Sequence, residues 1–404
     1  MPVSESEVPP DAKILRSRYV FEKATYSKGE FKKFKIRLVA RGELQDPRTY
    51  DETYAGTCQR KSIMLLLGIA NRRGWRISTA DISSAFLYGD LDIPIYMKMP
   101  DGSTVKLLKS FYGLKQAAHK FKEHLNNTLA AMRFKRLCSD SSVYLGFHND
   151  VKILVTSHVD DLLFLSSNAE VIKELFNKLS ETYAMTFQEN ATEYLGYTIT
   201  RNEQEKTISL SQKGSVLKLL DLYSPKSFSK TSHTPFLRTT VIDEELLNDT
   251  EKRIFRQITG SLLYLSICTR PDLLPAVHEL TRKMSSPRVI DLQKAKRAIS
   301  FLASTADYCF VFKANDTEEI FGWADSSFNS GEGDRRNRYG YCFQLGTSSG
   351  IGNGYTNLKT DLIDKHKEHW MDSARQILTG EARGLIDLMF GATDKAKQSK
   401  FTGG

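Results

Sequence analysis

Cysteine is scarce in this chain, which has five such residues in 404 positions. They are Cys58, Cys138, Cys268, Cys309 and Cys342. Their number is odd and none of them forms a Cys-x-x-Cys pair, which argues against a zinc site and against a disulfide framework. We therefore expect the protein to work in a reducing compartment.

Long apolar runs are also missing. No stretch approaches the ~18 consecutive apolar residues of a membrane-spanning helix, so we expect no membrane partner. Residues 1–11 are polar, include Pro9-Pro10 and lack the apolar run of a signal peptide. The composition, with 40% hydrophobic and 26% charged residues, is instead that of an ordinary folded protein with room for two or three domains.

The charge balance is basic, with a formal net charge of +9. Much of this charge lies between Lys13 and Arg41, where ten Lys or Arg residues stand against Glu22 and Glu30. Such a run indicates contact with the phosphates of a nucleic acid or a nucleotide. On charge alone, a solvated hairpin explains the same residues equally well.

Hydrophobic periodicity and turn residues predict a mixture of helices and antiparallel strands. Residues 13–41 are predicted as two strands joined by the turn Ser27-Lys28-Gly29, and residues 62–73 as a helix with Ser62 as its N-cap. Further helices are predicted at 116–134, 169–183, 249–268, 271–284 and 292–305, and further strands at 76–80, 151–159, 162–166, 193–200, 207–210, 308–312 and 320–324. The segment 224–238, rich in Ser, Thr, Lys and Pro, is the best candidate for a linker.

Two acidic signatures lie 79 residues apart, each next to a short apolar strand. The first is Asp81, and the second is the pair Asp160-Asp161 at the tip of a predicted hairpin. Adjacent carboxylates repel each other unless a cation lies between them. Phosphoryl and nucleotidyl transfer use such oxygen ligands to hold two Mg²⁺ ions about 3.5–4 Å apart. Alone, the pair is equally compatible with any charged turn, and it indicates a polymerase only together with the motifs that surround it.

Several strings occur in the same order as in the reverse transcriptases of copia-type long-terminal-repeat retrotransposons, which this chain resembles. They cover residues 33–42, 50–54, 83–91, 95–98, 110–117 and 159–161, with 260–265 and 269–272 downstream. The resemblance implies an α+β fold of the right-hand polymerase type, in which fingers, palm and thumb surround an antiparallel palm sheet. It extends from about residue 13 to residue 346.

The resemblance also implies a domain order. A polar N-terminal tail (1–12) precedes the fingers, palm and thumb (13–236), and a helical connection (237–312) leads to a truncated RNase H-like α/β domain (313–404). In that last domain, Asp325 and Glu381 correspond to two carboxylates of a partial RNase H site. The third acid of the family has no counterpart in a fitting position, which argues against RNase H activity.

Catalytic and metal-binding roles follow from the same resemblance for Asp81, Asp160 and Asp161, which would hold two Mg²⁺ ions, with Mn²⁺ as the alternative. One ion would lower the pKa of the primer 3′-hydroxyl, and the other would neutralise the departing pyrophosphate. Phe86 corresponds to the steric gate that leaves no room for a ribose 2′-hydroxyl. Outside its motif, Phe86 is more typical of a core aromatic residue.

The remaining nucleotide contacts that the resemblance implies lie in three strings. The backbone beside the triphosphate is that of Ile82, Ser83, Ser84 and Ala85. Gln116 corresponds to a glutamine that packs near the incoming nucleotide, although a helix-start Gln is otherwise most often a surface residue. The candidate cations for the triphosphate are Lys35, Arg37 and Arg41, of which Lys35 and Arg37 share one face of a strand.

The function implied is that of an RNA-directed DNA polymerase, a nucleotidyltransferase of a transposable element that extends a primer 3′-hydroxyl with dNTPs. Its partners would be an RNA template, a DNA primer and the RNA–DNA hybrid. Its place would be a virus-like particle in the cytoplasm, with the nucleus as the alternative. The sequence leaves a second interpretation open, a degenerate or co-opted retroelement fragment that binds nucleic acid without efficient catalysis, because the basic surface serves both.

Overall fold

The structure, a computed structural model, describes residues 1–25, 31–223, 232–237, 245–314, 320–327, 336–345 and 348–359. The predicted turn at Ser27-Lys28-Gly29 and most of the predicted linker 224–238 lie outside these ranges. The architecture is mixed α+β, as the sequence predicts. Within the described ranges, none of the helices combines the length and the apolarity that crossing a bilayer requires.

The helices and strands are numbered in chain order. The strands are β1 (Pro2–Val3), β2 (Ile14–Thr25), β3 (Phe31–Ala40), β4 (Arg76–Ile82), β5 (Asp90–Lys98), β6 (Thr104–Lys109), β7 (Lys135–Arg136), β8 (Val143–His148), β9 (Val151–His158), β10 (Asp161–Ser166), β11 (Met185–Gln188), β12 (Glu193–Tyr194), β13 (Tyr197–Asn202), β14 (Thr207–Ser211), β15 (Phe310–Lys313), β16 (Ile320–Ser327), β17 (Arg336–Leu345) and β18 (Ser348–Lys359). The helices are α1 (Arg60–Arg72), α2 (Ala117–Ala131), α3 (Ala169–Ser180), α4 (Lys213–Tyr223), α5 (Asp249–Cys268), α6 (Leu274–Thr281) and α7 (Val289–Ser304).

The N-terminal sheet has five strands in the order β1–β6–β5–β2–β3. The long hairpin of β2 and β3 confirms the two strands predicted in 13–41, and it sets Glu22 opposite Lys35. Because side chains alternate along a strand, Lys35 and Arg37 lie on one face of the hairpin, and Phe34 and Ile36 on the other. The base of the hairpin is held by a parallel pairing of β2 with β5.

A second sheet has six strands in the order β11–β4–β10–β9–β8–β7, all antiparallel. Its central strand β10 is buried on both faces. Leu162 and Phe164 pack with α2 and α3, whereas Leu163 and Leu165 pack in the core that contains α1. A strand that is covered on both faces needs apolar side chains at every position, which explains why residues 162–165 are all apolar. The predicted hairpin of 151–166, with the acidic pair at its tip, is confirmed.

The start of α1 corrects a sequence prediction. The helix begins at Arg60 with Gln59 as its N-cap, so the prediction of Ser62 as the cap is wrong. Ser62 lies inside the first turn and is buried. The acceptor at the helix start is the Asp140 carboxylate, which takes a hydrogen bond from the Gln59 backbone N–H at 2.8 Å. An acceptor that lies 81 positions away in the sequence leaves no local signal of the helix start.

A third sheet has four strands in the order β12–β13–β14–β15. β15 returns to this sheet after the four helices α4–α7, and Phe312 packs in the same core as α1. The predicted boundary between residues 312 and 313 therefore falls inside β15. The predicted division of the chain into domains stays a prediction, but the packing of this sheet runs across it.

Helices α4–α7 share one apolar core. The helix predicted at 249–268 coincides with α5, whose start is capped by reciprocal hydrogen bonds between Asn248 and Glu251. Between α5 and α6, the guanidinium of Arg270 is buried and donates to the Asp272 carboxylate and to the Thr305 carbonyl. This pairing accounts for the Arg and the Asp in the string 269–272.

The last described strands form a separate antiparallel sheet in the order β16–β17–β18. Asp325 lies in β16 and pairs in register with Gly340 of β17. Glu381, the other residue of the predicted partial RNase H site, lies outside the described residues. The RNase H-like domain and its site stay predictions.

Two glycines bring the end of β3 against the loop that leads into α2. A Cβ added at Gly42 would lie 1.9 Å from the carbonyl oxygen of Gly113, and one added at Gly113 would lie 2.1 Å from that of Ala40. The φ angle of Gly113 is also positive, at +92°. Beside this contact the Ala40 N–H donates to the Tyr112 carbonyl at 2.8 Å. Because neither glycine has a side chain, the two backbone segments can approach this closely, and Tyr112 lies next to β3.

This close approach is testable with two glycines of nearly equal φ. We expect Gly113→Ala to lower the free energy of unfolding by about 3–5 kcal/mol, because it adds an overlap with backbone to the strain of a positive φ. Gly102, at φ +89°, has no atom within 4 Å of an added Cβ. Gly102→Ala should therefore cost only the strain, about 1–2 kcal/mol. Urea unfolding measures both losses, and equal losses would contradict the close approach.

Candidate active site

The predicted catalytic acids lie at one end of the six-stranded sheet. β9 and β10 are joined by the two residues Val159 and Asp160, and Asp161 lies opposite His158. On its other side, β10 pairs with β4 so that Asp161 lies directly opposite Asp81. The carbonyl of Asp160 accepts a hydrogen bond from the Ile82 N–H at 2.9 Å. The structure therefore brings the two acidic signatures together.

The connection between β9 and β10 has an unusual backbone. Val159 has a φ of +58°, a conformation that favours glycine and is costly for a β-branched residue. Residues held in such conformations cost about 1–3 kcal/mol and cluster at functional sites. The flanking strand pairs supply the hydrogen bonds that hold Val159 in this conformation, and the turn presents Asp160 at the end of the sheet.

Charged residues on strands β4 and β3 shift the pKa of the Asp160 carboxyl. Burial raises the pKa of its carboxyl above the ordinary value, and the neighbouring charge of Asp81 raises it further. The charges of Lys35 and Arg37 lower it, so the β2–β3 hairpin acts electrostatically on Asp160. A bound cation would favour the charged form in the same way as these two side chains. Asp160 thus experiences the charge of one carboxylate and of two cations.

The third acid, Asp161, has a different neighbour. Its charge contributes to the raised pKa of the Tyr194 phenol, for which burial is the main cause. Carboxylate oxygens are the ligands that Mg²⁺ prefers, and the mutual repulsion of Asp81 and Asp160 suits a cation between them. Within the described ranges, however, no group of three or more His, Cys, Asp or Glu side chains lies close enough to enclose a metal ion. The donor chemistry therefore fits the predicted ions, whereas convergence of all three acids on them stays a prediction.

The backbone run predicted beside the triphosphate leaves β4 in a tight turn. The N–H of Ile82 is committed to Asp160, and the N–H of Ser83 donates to the Ala184 carbonyl at 2.8 Å. Ser84 adopts a left-handed conformation with φ +55°, which starts a short 3-10 helix over Ala85–Tyr88. Of the predicted run, Ser84 and Ala85 are therefore the residues best placed to offer an N–H to an anion.

Phe86 lies on that 3-10 helix and is half-buried. Its ring meets the ring of Tyr112 edge-on, with the centroids 5.0 Å apart. Burial raises the pKa of the Tyr112 phenol, and the charge of Asp160 raises it further, while Arg37 and a hydrogen bond with Ser84 lower it. Tyr112 is thus a site residue that the sequence patterns did not predict. Its position next to Gly113, inside the string 110–117, was the available signal.

Gln116 is buried rather than at the surface, with 4% of its area exposed. Its side-chain oxygen accepts from Gln45 at 2.9 Å, and its side-chain nitrogen donates to the Thr49 carbonyl at 3.2 Å. Gln45 in turn accepts from the Lys115 N–H at 2.9 Å. These bonds tie the start of α2 to the segment after β3. Contact of Gln116 with a nucleotide stays a prediction, and the structure gives it a scaffolding role.

The three predicted cations differ in their surroundings. Lys35 and Arg37 act on Asp160, as described above, and Arg37 also donates to the carboxylate of Glu22 on β2. Arg41 lies one residue beyond β3 and pairs with Glu43 at 2.7 Å. Of the three, Lys35 and Arg37 are therefore the ones whose charge reaches the candidate site.

Comparison with known proteins gives a consistent family. Residues 4–234 match the family model described as reverse transcriptase (RNA-dependent DNA polymerase). The chain is 31% identical to the Retrovirus-related Pol polyprotein from transposon RE2 of Arabidopsis thaliana, over 84% of this chain and 24% of that protein. It is 27% identical to the Retrovirus-related Pol polyprotein from transposon TNT 1-94 of Nicotiana tabacum, over 83% of this chain and 26% of that protein. The chain thus spans about a quarter of the length of these two relatives.

Two further likenesses cover different shares of the chain. A transposon Ty5-1 protein of Saccharomyces cerevisiae is 28% identical over 61% of this chain and 82% of that protein. Among solved structures, telomerase from Candida albicans in complex with a TWJ fragment of telomeric RNA covers 76% of this chain and 63% of its own, at a TM-score of 0.31 and 8% identity. A TM-score of 0.31 is too low to support a conclusion about this chain.

The family model covers more than half of the chain, and the strands that carry Asp81, Asp160 and Asp161 all lie within it. The chain therefore belongs to the reverse transcriptase family, in the branch of the copia-type retrotransposon Pol polyproteins, whose reverse transcriptase domains are RNA-directed DNA polymerases and hence nucleotidyltransferases.

Proposed function

We propose that this chain is an RNA-directed DNA polymerase that extends a primer 3′-hydroxyl with dNTPs by two-metal nucleotidyl transfer. The observation that carries the proposal is the meeting of Asp81 and Asp160 at one end of a sheet, where the charges of Lys35 and Arg37 on a separate strand pair act on Asp160. Acids that hold divalent cations beside cations that meet phosphates are the two parts that this chemistry needs.

Asp81 and Asp160 are the residues that would hold the ions, with Asp161 as the neighbouring acid. When bound, the ions supply Lewis acidity at the primer 3′-hydroxyl and charge neutralisation at the pyrophosphate. The protein groups contribute orientation and charge. Lys35 and Arg37 attract the triphosphate, and the N–H groups of Ser84 and Ala85 are donors for its oxygens.

The choice of sugar would fall to Phe86 and Tyr112. The two rings pack edge-on, so Phe86 is supported from one side and resists displacement by a larger sugar. A 2′-hydroxyl that meets a supported apolar ring finds neither space nor a hydrogen-bond partner. The partners proposed on this basis are an RNA template, a DNA primer and their hybrid, together with dNTPs.

The acids are tested by Asp160→Asn, which removes a charge while keeping the size of the side chain. We expect incorporation of dTTP on poly(rA)·oligo(dT) with Mg²⁺ to fall at least about 100-fold, because neutralisation of the developing charge is lost. Binding of the template–primer duplex should remain. Duplex binding without dTTP incorporation by the unmutated chain would instead favour the co-opted fragment.

Asp150→Asn is the matched control for this substitution. Asp150 lies in the turn between β8 and β9, at the opposite end of strand β9, and has a φ of +60° that Asn also tolerates. The Asp150→Asn variant should incorporate dTTP at the same rate as the unmutated chain. A loss as large as that of Asp160→Asn would show that the effect comes from the hairpin and not from the carboxylate.

The sugar gate is tested by Phe86→Val. We expect the ratio of kcat/KM for a ribonucleotide to that for the matching dNTP to rise by about 10- to 100-fold, because the ring no longer fills the space of the 2′-hydroxyl. Single-nucleotide primer extension measures both values. The control is Phe187→Val, since Phe187 is also half-buried against the core of α2 and α3. An unchanged ratio in Phe86→Val, with extension intact, would refute the gate.

A further inference from the structure

A buried polar cluster lies behind the candidate active site, and none of its side chains has a role in the chemistry proposed above. We call it the Lys122 cluster; its members are Cys58, Lys122, Asp140, Ser142 and Ser157. They come from the segment before α1, from α2, from the turn before β8 and from β9. Burying polar groups costs free energy, so a buried cluster of them requires a structural or functional explanation.

Lys122 makes the central contacts. Its ammonium nitrogen Nζ donates to the Ser157 hydroxyl at 2.6 Å and to the Ser142 hydroxyl at 3.0 Å. It also lies 5.1 Å from the centre of the Tyr144 ring, within the range of a cation–π contact. Both serines are out of contact with solvent, with exposed fractions of 1% for Ser157 and 0% for Ser142. The two serines are thus held by one cation.

Asp140 supplies the opposite charge and is 5% exposed. Its carboxylate accepts from the Gln59 N–H at 2.8 Å, from the Ser142 N–H at 3.0 Å and from the Cys58 thiol at 3.6 Å. Through these bonds the cluster reaches the start of α1. A carboxylate with three donors and a nearby ammonium is a compensated buried charge and not a stray one.

Ser157 connects the cluster to the catalytic hairpin. It is the residue before His158 and lies three positions before Asp160 on the strand that enters the turn. Its N–H donates to the Ser142 carbonyl at 2.9 Å and its carbonyl accepts from the Cys58 N–H at 3.1 Å. The backbone and the side chain of Ser157 are therefore both fixed. Every one of these bonds is made just before the turn that carries Asp160.

From this geometry we infer that Lys122 is a positioning residue for nucleotidyl transfer, which holds the end of β9 through Ser157 so that the turn keeps Asp160 beside Asp81. The inference rests on the proposed function. Lys122 lies outside the string 110–117 and touches neither acid. Its effect therefore comes through the hairpin, where a displacement of about 1 Å is enough to cost a hundredfold in rate.

The charged form of Lys122 is the one that fits these contacts. An ammonium has three N–H donors for two hydroxyls and a ring face, and it attracts Asp140. Burial lowers the pKa of Lys122 to about 8, and the charge of Asp140 counteracts part of that fall. The other titratable or charged groups that interact with Lys122 are Cys58, Arg136, Tyr144 and His158. As the pH rises through about 8, Lys122 loses its proton and with it the charge that attracts Asp140.

The experiment compares Lys122→Met with Lys120→Met on the intact chain. Lys120 lies on the same helix, but it forms ion pairs with Asp92 and Glu123 and not with the β9–β10 hairpin. We expect kcat for primer extension to fall by about 10- to 100-fold in Lys122→Met, with KM for the dNTP within about threefold, because alignment is lost and nucleotide contacts remain. Lys120→Met should keep both values.

Two further measurements separate positioning from simple destabilisation. If Lys122 acts through Ser157, the double variant Lys122→Met/Ser157→Ala should lose no more kcat than Lys122→Met alone. In Lys122→Arg the side chain stays charged, so the ratio of its kcat to that of the unmutated chain should rise by about tenfold between pH 7 and pH 9. This ratio cancels the pH dependence of the chemistry itself.

The outcomes separate the two proposals. An unmutated chain that binds duplex but extends no primer overturns the proposed function, and this inference with it. An active unmutated chain whose Lys122→Met variant keeps its kcat overturns the positioning role alone. Additive losses in the double variant, or a ratio for Lys122→Arg that is flat with pH, also overturn it. A variant that has lost its cooperative thermal transition is replaced by Ser157→Ala, for which the same fall in kcat is expected.

Discussion

The antiparallel register between β4 and β10 is the constraint on which the rest of the structure depends, because it sets Asp81 opposite Asp161 and brings the turn residue Asp160 alongside. A cross-strand pair of like charges costs on the order of 1 kcal/mol. The strand that imposes the pair buries Leu162, Leu163, Phe164 and Leu165 completely. Burial of each such side chain contributes about 1.5–3 kcal/mol, so the apolar strand easily offsets the repulsion at its end. The core therefore stabilises an arrangement of carboxylates that would not persist in an isolated hairpin.

Three other segments are brought to these acids by contacts that have little to do with charge. The glycines at 42 and 113 let the loop before α2 approach the end of β3, which sets Tyr112 beside Phe86. The buried amides of Gln45 and Gln116 hold the same junction from the other side. The charges of Lys35 and Arg37 on the β2–β3 hairpin then act on Asp160. The polar site is therefore assembled by the close approach of Gly42 and Gly113, by the Gln45–Gln116 hydrogen bond and by the alternation of side chains along β3.

The sequence predicted local features well and long-range ones poorly. The extent of α5 was predictable because Asn248 and Glu251 mark its start within four residues. The hairpin with the acidic pair at its tip was predictable from its apolar runs. By contrast, the hydrogen bonds of Gln59 with Asp140, of Gln116 with Gln45 and of Lys122 with Ser157 each join residues 35 to 81 positions apart. Such contacts are decided by how the elements pack, and no periodicity within either segment records them.

The return of β15 to the four-stranded sheet has a consequence for synthesis of the protein. The side chain of Asn71 at the end of α1 donates to the carbonyls of Lys206 and Phe312, and the second of these lies 241 positions later in the chain. The ribosome must therefore complete all of α4–α7 before the core around α1 can close. Until then, the apolar face of α1 that Phe312 covers remains a surface for chaperones or for misfolding. The return of β15 thus sets the earliest time at which the nascent core around α1 can close.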